Sequence, residues 1–82
     1  MVKAQAPIAL KLNSMAVWNY LTRRNLAQNE LAKQIGISSG YMAQLISGKR
    51  SPSPALRRRM LEELAPLSFD DLFVVYERQD LP

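Results

Sequence analysis

The sequence contains neither His nor Cys, so any chemistry it performs rests on carboxylates, cations, hydroxyls and amides. The commonest general base, the thiol nucleophile and the soft metal ligands are thereby missing. Two adjacent acid pairs, Glu62-Glu63 and Asp70-Asp71, are the places where a hard cation could be imagined. Each pair falls in a helical pattern or at its start, and neighbouring side chains on a helix point about 100° apart. They read as solvated surface and as a complement to the helix dipole, not as a metal site. Gly36, Gly40 and Gly48 do not have the spacing of a phosphate-cradling loop. The expectation is that the chain is not an enzyme and has no catalytic residue, metal, cofactor or small-molecule substrate.

The cations are the remaining resource, and they are unevenly placed. Residues 1–59 hold ten Lys/Arg against the single acid Glu30, whereas residues 60–82 hold six acids and only Arg78, within a net charge of +4. A basic segment that long is the electrostatic footprint expected of a phosphate-binding surface.

The elements that would position those cations can be read from spacing. From Gln28, the apolar residues Leu31, Ala32 and Ile35 fall at helical intervals, and Gly36 stands where a helix ends in a left-handed residue. Ile37 reads as a buried hinge and Ser38 as the cap of a following helix. That next helix, about 39–47, carries Met42, Leu45 and Ile46 on one face and Ser39, Gly40, Ala43, Gln44 and Ser47 on the other. Gly48 stops it, with Lys49 and Arg50 immediately after. Two short helices joined by a turn containing Gly form the unit that presents its second helix to the DNA major groove.

Three further helices are expected around this pair. Asn13 or Ser14 caps a first helix whose apolar face is Val17, Trp18 and Leu21, with Trp18 read as core and Arg23-Arg24 at its C-terminal end. Ser53 caps and Pro54 opens a fourth helix with Leu56, Met60 and Leu64 as its inner stripe and Arg57, Arg58 and Arg59 outside. Ser68 and Asp71 stand at capping-box spacing for a short fifth helix, after which Leu72 and Phe73 turn inward. Ile8, Leu10 and Leu12 alternate with Ala9 and Lys11, and Phe73-Val74-Val75-Tyr76 is rich in strand formers. Two readings stand side by side here: a pair of short strands fastening the termini, or a loose arm with a longer fifth helix.

Residues 27–52 resemble the Cro/C1-type (XRE-type) helix-turn-helix family. The matching positions are Gln28, Glu30-Leu31-Ala32, Gly36-Ile37-Ser38, Tyr41-Met42, Leu45, Gly48-Lys49-Arg50 and Pro52-Ser53, and the likeness extends over about residues 12–73. The fold it implies is all-α, a five-helix lambda-repressor-like domain. An N-terminal arm or strand over 1–12, the helix-turn-helix domain over 13–73 and a tail or strand over 74–82 complete the expected organisation. Two departures concern stability. Ala27 stands where relatives have a capping side chain, a loss of about 1 kcal/mol. Leu21 and Ile46 replace a buried Arg–Glu pair found in many members, an exchange that can be neutral.

The resemblance also implies roles. The first exposed residues of the third helix and those a turn later, Ser39, Gly40, Ala43 and Gln44, occupy positions that reach base edges in relatives. Gln44 has the amide that can read adenine, and the Ala43 methyl can meet thymine. Gly40 either admits close approach or is merely tolerated. Gln28, Ser38, Tyr41, Ser47, Lys49 and Arg50 fall at backbone-contact positions, which set register without reading sequence; Tyr41 could instead pack at the core edge. The implied partner is double-stranded DNA and the implied function transcriptional regulation. A protein-interaction module or an antitoxin-type partner protein on the same fold is the alternative. Relatives pair two recognition helices about one DNA turn (~34 Å) apart, so a weak homodimer is expected. Helix 5 and the tail, Leu72 to Tyr76, are its expected contact; the alternative is a monomer whose tail only closes its own core. No stretch is long and apolar enough for a membrane span, no secretory signal is evident, and a cytoplasmic setting is expected.

Overall fold

Short polar side chains start four of the five helices. The computed structural model describes residues 8–78, so residues 1–7 of the expected arm and 79–82 of the expected tail lie outside the described residues. The elements run β1 (Ile8–Leu12), α1 (Ser14–Arg24), α2 (Gln28–Ile35), α3 (Ser39–Ser47), α4 (Pro54–Glu63), α5 (Phe69–Leu72) and β2 (Phe73–Glu77). Asn13 caps α1, accepting from the Ala16 amide, while Ser38, Ser53 and Ser68 cap α3, α4 and α5. Each side chain satisfies one of the amides that a helix start leaves without a partner. Helix α2 has no such oxygen, because Ala27 cannot accept; only the returning half of a capping box forms, with the Glu30 carboxylate accepting from the Ala27 amide at 2.8 Å.

The helix ends are equally local. Gly36 at φ 88° closes α2, with the Ile37 amide donating to Ala32 and the Gly36 amide to Lys33. Asn25 closes α1 in the same left-handed way at φ 54°, where its short polar side chain tolerates the strain better than most.

The core is one cluster. Val17, Leu31, Ile35, Met42, Leu45, Met60, Leu64 and Leu72 are fully buried, and Leu10, Leu12 and Phe73 join them from the strands. No polar or charged side chain is buried among the described residues. Leu21 lies in the cluster and Ile46 packs against it, so the positions that carry an ion pair in many relatives are apolar here and inside.

The termini pair. Strands β1 and β2 form a two-stranded antiparallel sheet, Leu12 opposite Phe73 and Ile8 opposite Glu77, and α5 is a single turn that ends where β2 begins. Of the two readings left open by the sequence, the strand pairing is the one observed. Val74, Val75 and Tyr76 are exposed on β2, but Leu72 and Phe73 are buried in the chain's own core. Those last two therefore cannot belong to the dimer contact expected of them. A second correction concerns Trp18. It is 44% exposed, not core, because Val17, Tyr20 and Leu21 fill the inner face of α1 and turn Trp18 outward.

Candidate nucleic-acid interface

Helices α2 and α3 are joined by the two-residue turn Ile37-Ser38 after Gly36, and they are held together by buried Leu31, Ile35, Met42 and Leu45. Burying Met42 and Leu45 fixes which way the rest of α3 faces. Ser39, Gly40, Ala43, Gln44 and Ser47 are all exposed. The expected base-reading set thus forms one outward strip along α3, spaced 39, 40, 43, 44 as one helix face requires. A Cβ added to Gly40 would meet nothing within 4 Å, so packing within the chain does not demand glycine there.

The polar groups around the strip differ in what they still have to offer. Ser38 Oγ accepts from the Tyr41 amide at 3.0 Å, which leaves its O–H free to donate outward. Ser47 Oγ donates its proton to the Gln44 carbonyl at 3.2 Å, so this hydroxyl is engaged within its own turn. Of the two expectations for Tyr41, packing at the core edge is observed. It is half-buried against the core, and the Arg50 guanidinium stands over its ring at 5.6 Å. Cation–π contact of this kind restrains a side chain that would otherwise sample many rotamers. The Arg50 amide also donates to the Gln44 carbonyl at 3.2 Å, which folds the Lys49-Arg50 exit back against the end of α3. Lys49 and Arg50 are exposed beyond it. Gln28, half-buried, is the first residue of α2, at the N-terminus that no side chain caps.

One residue that positions this unit has no signal of its own in the sequence. Arg59 on α4 donates through Nη1 to the Ile35 carbonyl at 2.9 Å, the last carbonyl of α2. A cation at a helix C-terminus complements its dipole, and this one lies at the turn itself, since a Cβ on Gly36 would come within 3.2 Å of the same nitrogen. The run Arg57-Arg58-Arg59 was visible, but nothing local distinguishes the one that reaches back 24 residues.

The acid pairs behave as surface. Asp71 accepts from the Ser68 amide and hydroxyl, and those hydrogen bonds hold its carboxyl below the ordinary Asp value. No group of three or more His, Cys, Asp or Glu able to hold a metal occurs among the described residues. No helix among them is long and apolar enough to cross a membrane.

Five helices with a capped turn between the second and third define a helix-turn-helix domain. A family model described as helix-turn-helix matches residues 19–72, most of the chain. The chain belongs to the Cro/C1-type (XRE-type) helix-turn-helix family, a family of DNA-binding domains. Neither the curated proteins nor the solved structures compared with it give a match.

Proposed function

We propose that the protein is a sequence-specific regulator of transcription that reads the major groove of double-stranded DNA with α3. The observation that carries this reading is the outward strip Ser39, Gly40, Ala43 and Gln44, with Lys49 and Arg50 following directly at its end. Gln44 reads a base through its amide, Ser39 adds a hydroxyl, and Ala43 and Gly40 keep the helix slim enough to sit deep in the groove. Gln28, Ser38, Tyr41, Lys49 and Arg50 meet the phosphates, with Arg50 restrained by the Tyr41 ring, and Ser47 joins them only by releasing its bond to the Gln44 carbonyl. The protein works as a pair of copies on a two-fold related site, which doubles the few base pairs that one α3 can read.

Salt titration of duplex binding tests the electrostatic half of this reading. Four to six neutralised phosphates per copy, an order-of-magnitude count, give a fall of log K with log salt at roughly −0.9 per phosphate. Lys49→Ala and Arg50→Ala each weaken all duplexes alike and reduce that slope by about 1. Affinity independent of salt would contradict the reading and favour a protein-interaction module that does not bind DNA; an antitoxin-type partner, which binds DNA and also a toxin, would show itself in a pull-down instead.

A further inference from the structure

Helix α1 carries a second surface that base reading does not use. Met15, Trp18, Asn19, Thr22 and Arg23 recur at the three-and-four spacing of one helix face and line a shallow depression together. Met15 is 75% exposed, and Trp18, half in water, is the chain's single tryptophan. A groove of about 570 Å³ runs alongside, walled by Ala16, Tyr20, Pro66 and Leu67 between α1 and α5. Its ends are oppositely charged. Arg23 and Arg24 close α1, whereas Asp70 and Asp71 lie at the start of α1, where the capping Asn13 side chain donates to the Asp71 carbonyl at 3.1 Å. Arg23 bonds Asn19, Arg24 lies 4.8 Å over the Tyr20 ring and Asp71 is taken up by Ser68, but among the described residues Arg23, Arg24 and Asp70 have no ion-pair partner.

We propose that this face receives a second copy of the chain, the two α1 helices crossing antiparallel about a two-fold axis near Trp18. The charges select that arrangement: a two-fold contact is self-complementary, and an antiparallel one sets Arg23 and Arg24 of each copy at the Asp70 end of the other. Parallel placement would stack like charges instead. The middle of the contact is Met15 and Trp18 from both copies, and Trp is among the residues most enriched where binding energy concentrates. A helix of 11 residues is ~16 Å long, so the contact is well below the roughly 800 Å² per partner of a standard interface and the free dimer is weak. Ser39, Gly40, Ala43 and Gln44 are not part of this face, so α3 remains open to a duplex. The proposal rests on the paired reading above and moves its contact from the tail to α1.

Sedimentation and Trp18 emission of the DNA-free full chain, up to the highest soluble concentration, test it independently of DNA binding. The expected result is concentration-dependent dimers with Trp18 emission moving to the blue as they form. Arg23→Asp and Asp70→Arg should each weaken association about tenfold, by turning two attractive pairs into repulsive ones. The double swap should restore it. All these residues are exposed, and a circular dichroism melt checks that the fold is kept. Single swaps without effect, a double swap without rescue, or a monomer at every concentration would each overturn the proposal. So would dimers that form with no change in Trp18 emission and are lost in Val75→Lys, since the tail strand would then hold the copies.

Discussion

Gln44 and Gly40 are adjacent on the outward strip of α3 and make opposite demands on an experiment. Gln44 is exposed and its side chain makes no hydrogen bond among the described residues, so its amide is free for a ligand. Replacement by Ala should leave the melting temperature nearly unchanged and remove about 1–3 kcal/mol of discrimination at one base position. Binding assays against duplexes varied one base pair at a time would show this, and equal discrimination in the variant would demote Gln44 to a surface residue. Gly40 offers the reverse contrast. Since an added Cβ meets nothing in the free chain, Gly40→Ala should stabilise α3 slightly, by less than the roughly 0.5–1 kcal/mol of a helix interior because Gly40 lies in the first turn. A stabler protein that binds its duplex less well would show that the missing side chain matters for close approach to DNA. Unchanged or tighter binding would show that glycine is only tolerated there.

At the scale of elements, what was legible in the sequence was local. Ser38, Ser53 and Ser68 are recognisable as caps because a cap depends on a residue and the amides two or three positions later, and all three act so. Gly36 and Gly48 are recognisable as helix ends for the same reason. Less was legible where contacts join distant segments. The pairing of β1 with β2 crosses the whole domain, and alternation alone could not choose between it and a loose arm. Trp18 was misassigned because apolar character at one position does not say which of two neighbouring faces the core takes, and Tyr20 took it. The Arg59 contact with Ile35 had no sequence signal. The candidate base-reading strip was legible because Met42 and Leu45 orient α3, whereas the engagement of Ser47 and the stacking of Arg50 on Tyr41 depend on side-chain geometry. The cap of α5 gives a pH prediction. Hydrogen bonds from Ser68 lower the Asp71 pKa below 3.8, favouring the charged form in the folded state. A lowered folded-state pKa contributes stability that is present above the unfolded value and lost as pH falls through the folded one. The melting-temperature gap between the wild type and Asp71→Ala should therefore hold steady from neutral pH to about 5 and close below about 4. A gap that widens on acidification would contradict the charged cap.

Across the whole molecule, the candidate base-reading strip and the buried core share no residue. The core contains no polar side chain among the described residues, so the cations are left to the surface and none is required inside. Residues 1–59 concentrate ten of the eleven Lys/Arg, while the acids gather after residue 60 around α4, α5 and β2. On the proposed function, such a distribution would favour approach to a polyanion by the basic segment, which includes α2 and α3. The same separation gives α1 its oppositely charged ends and underlies the proposed pairing of two copies. The central claim, that α3 reads base sequence in duplex DNA, is tested most directly by selecting bound duplexes from a random pool with the full chain. The account predicts one enriched motif with two-fold related halves spaced by about one helical turn of DNA. A retained pool that stays random in sequence would contradict it.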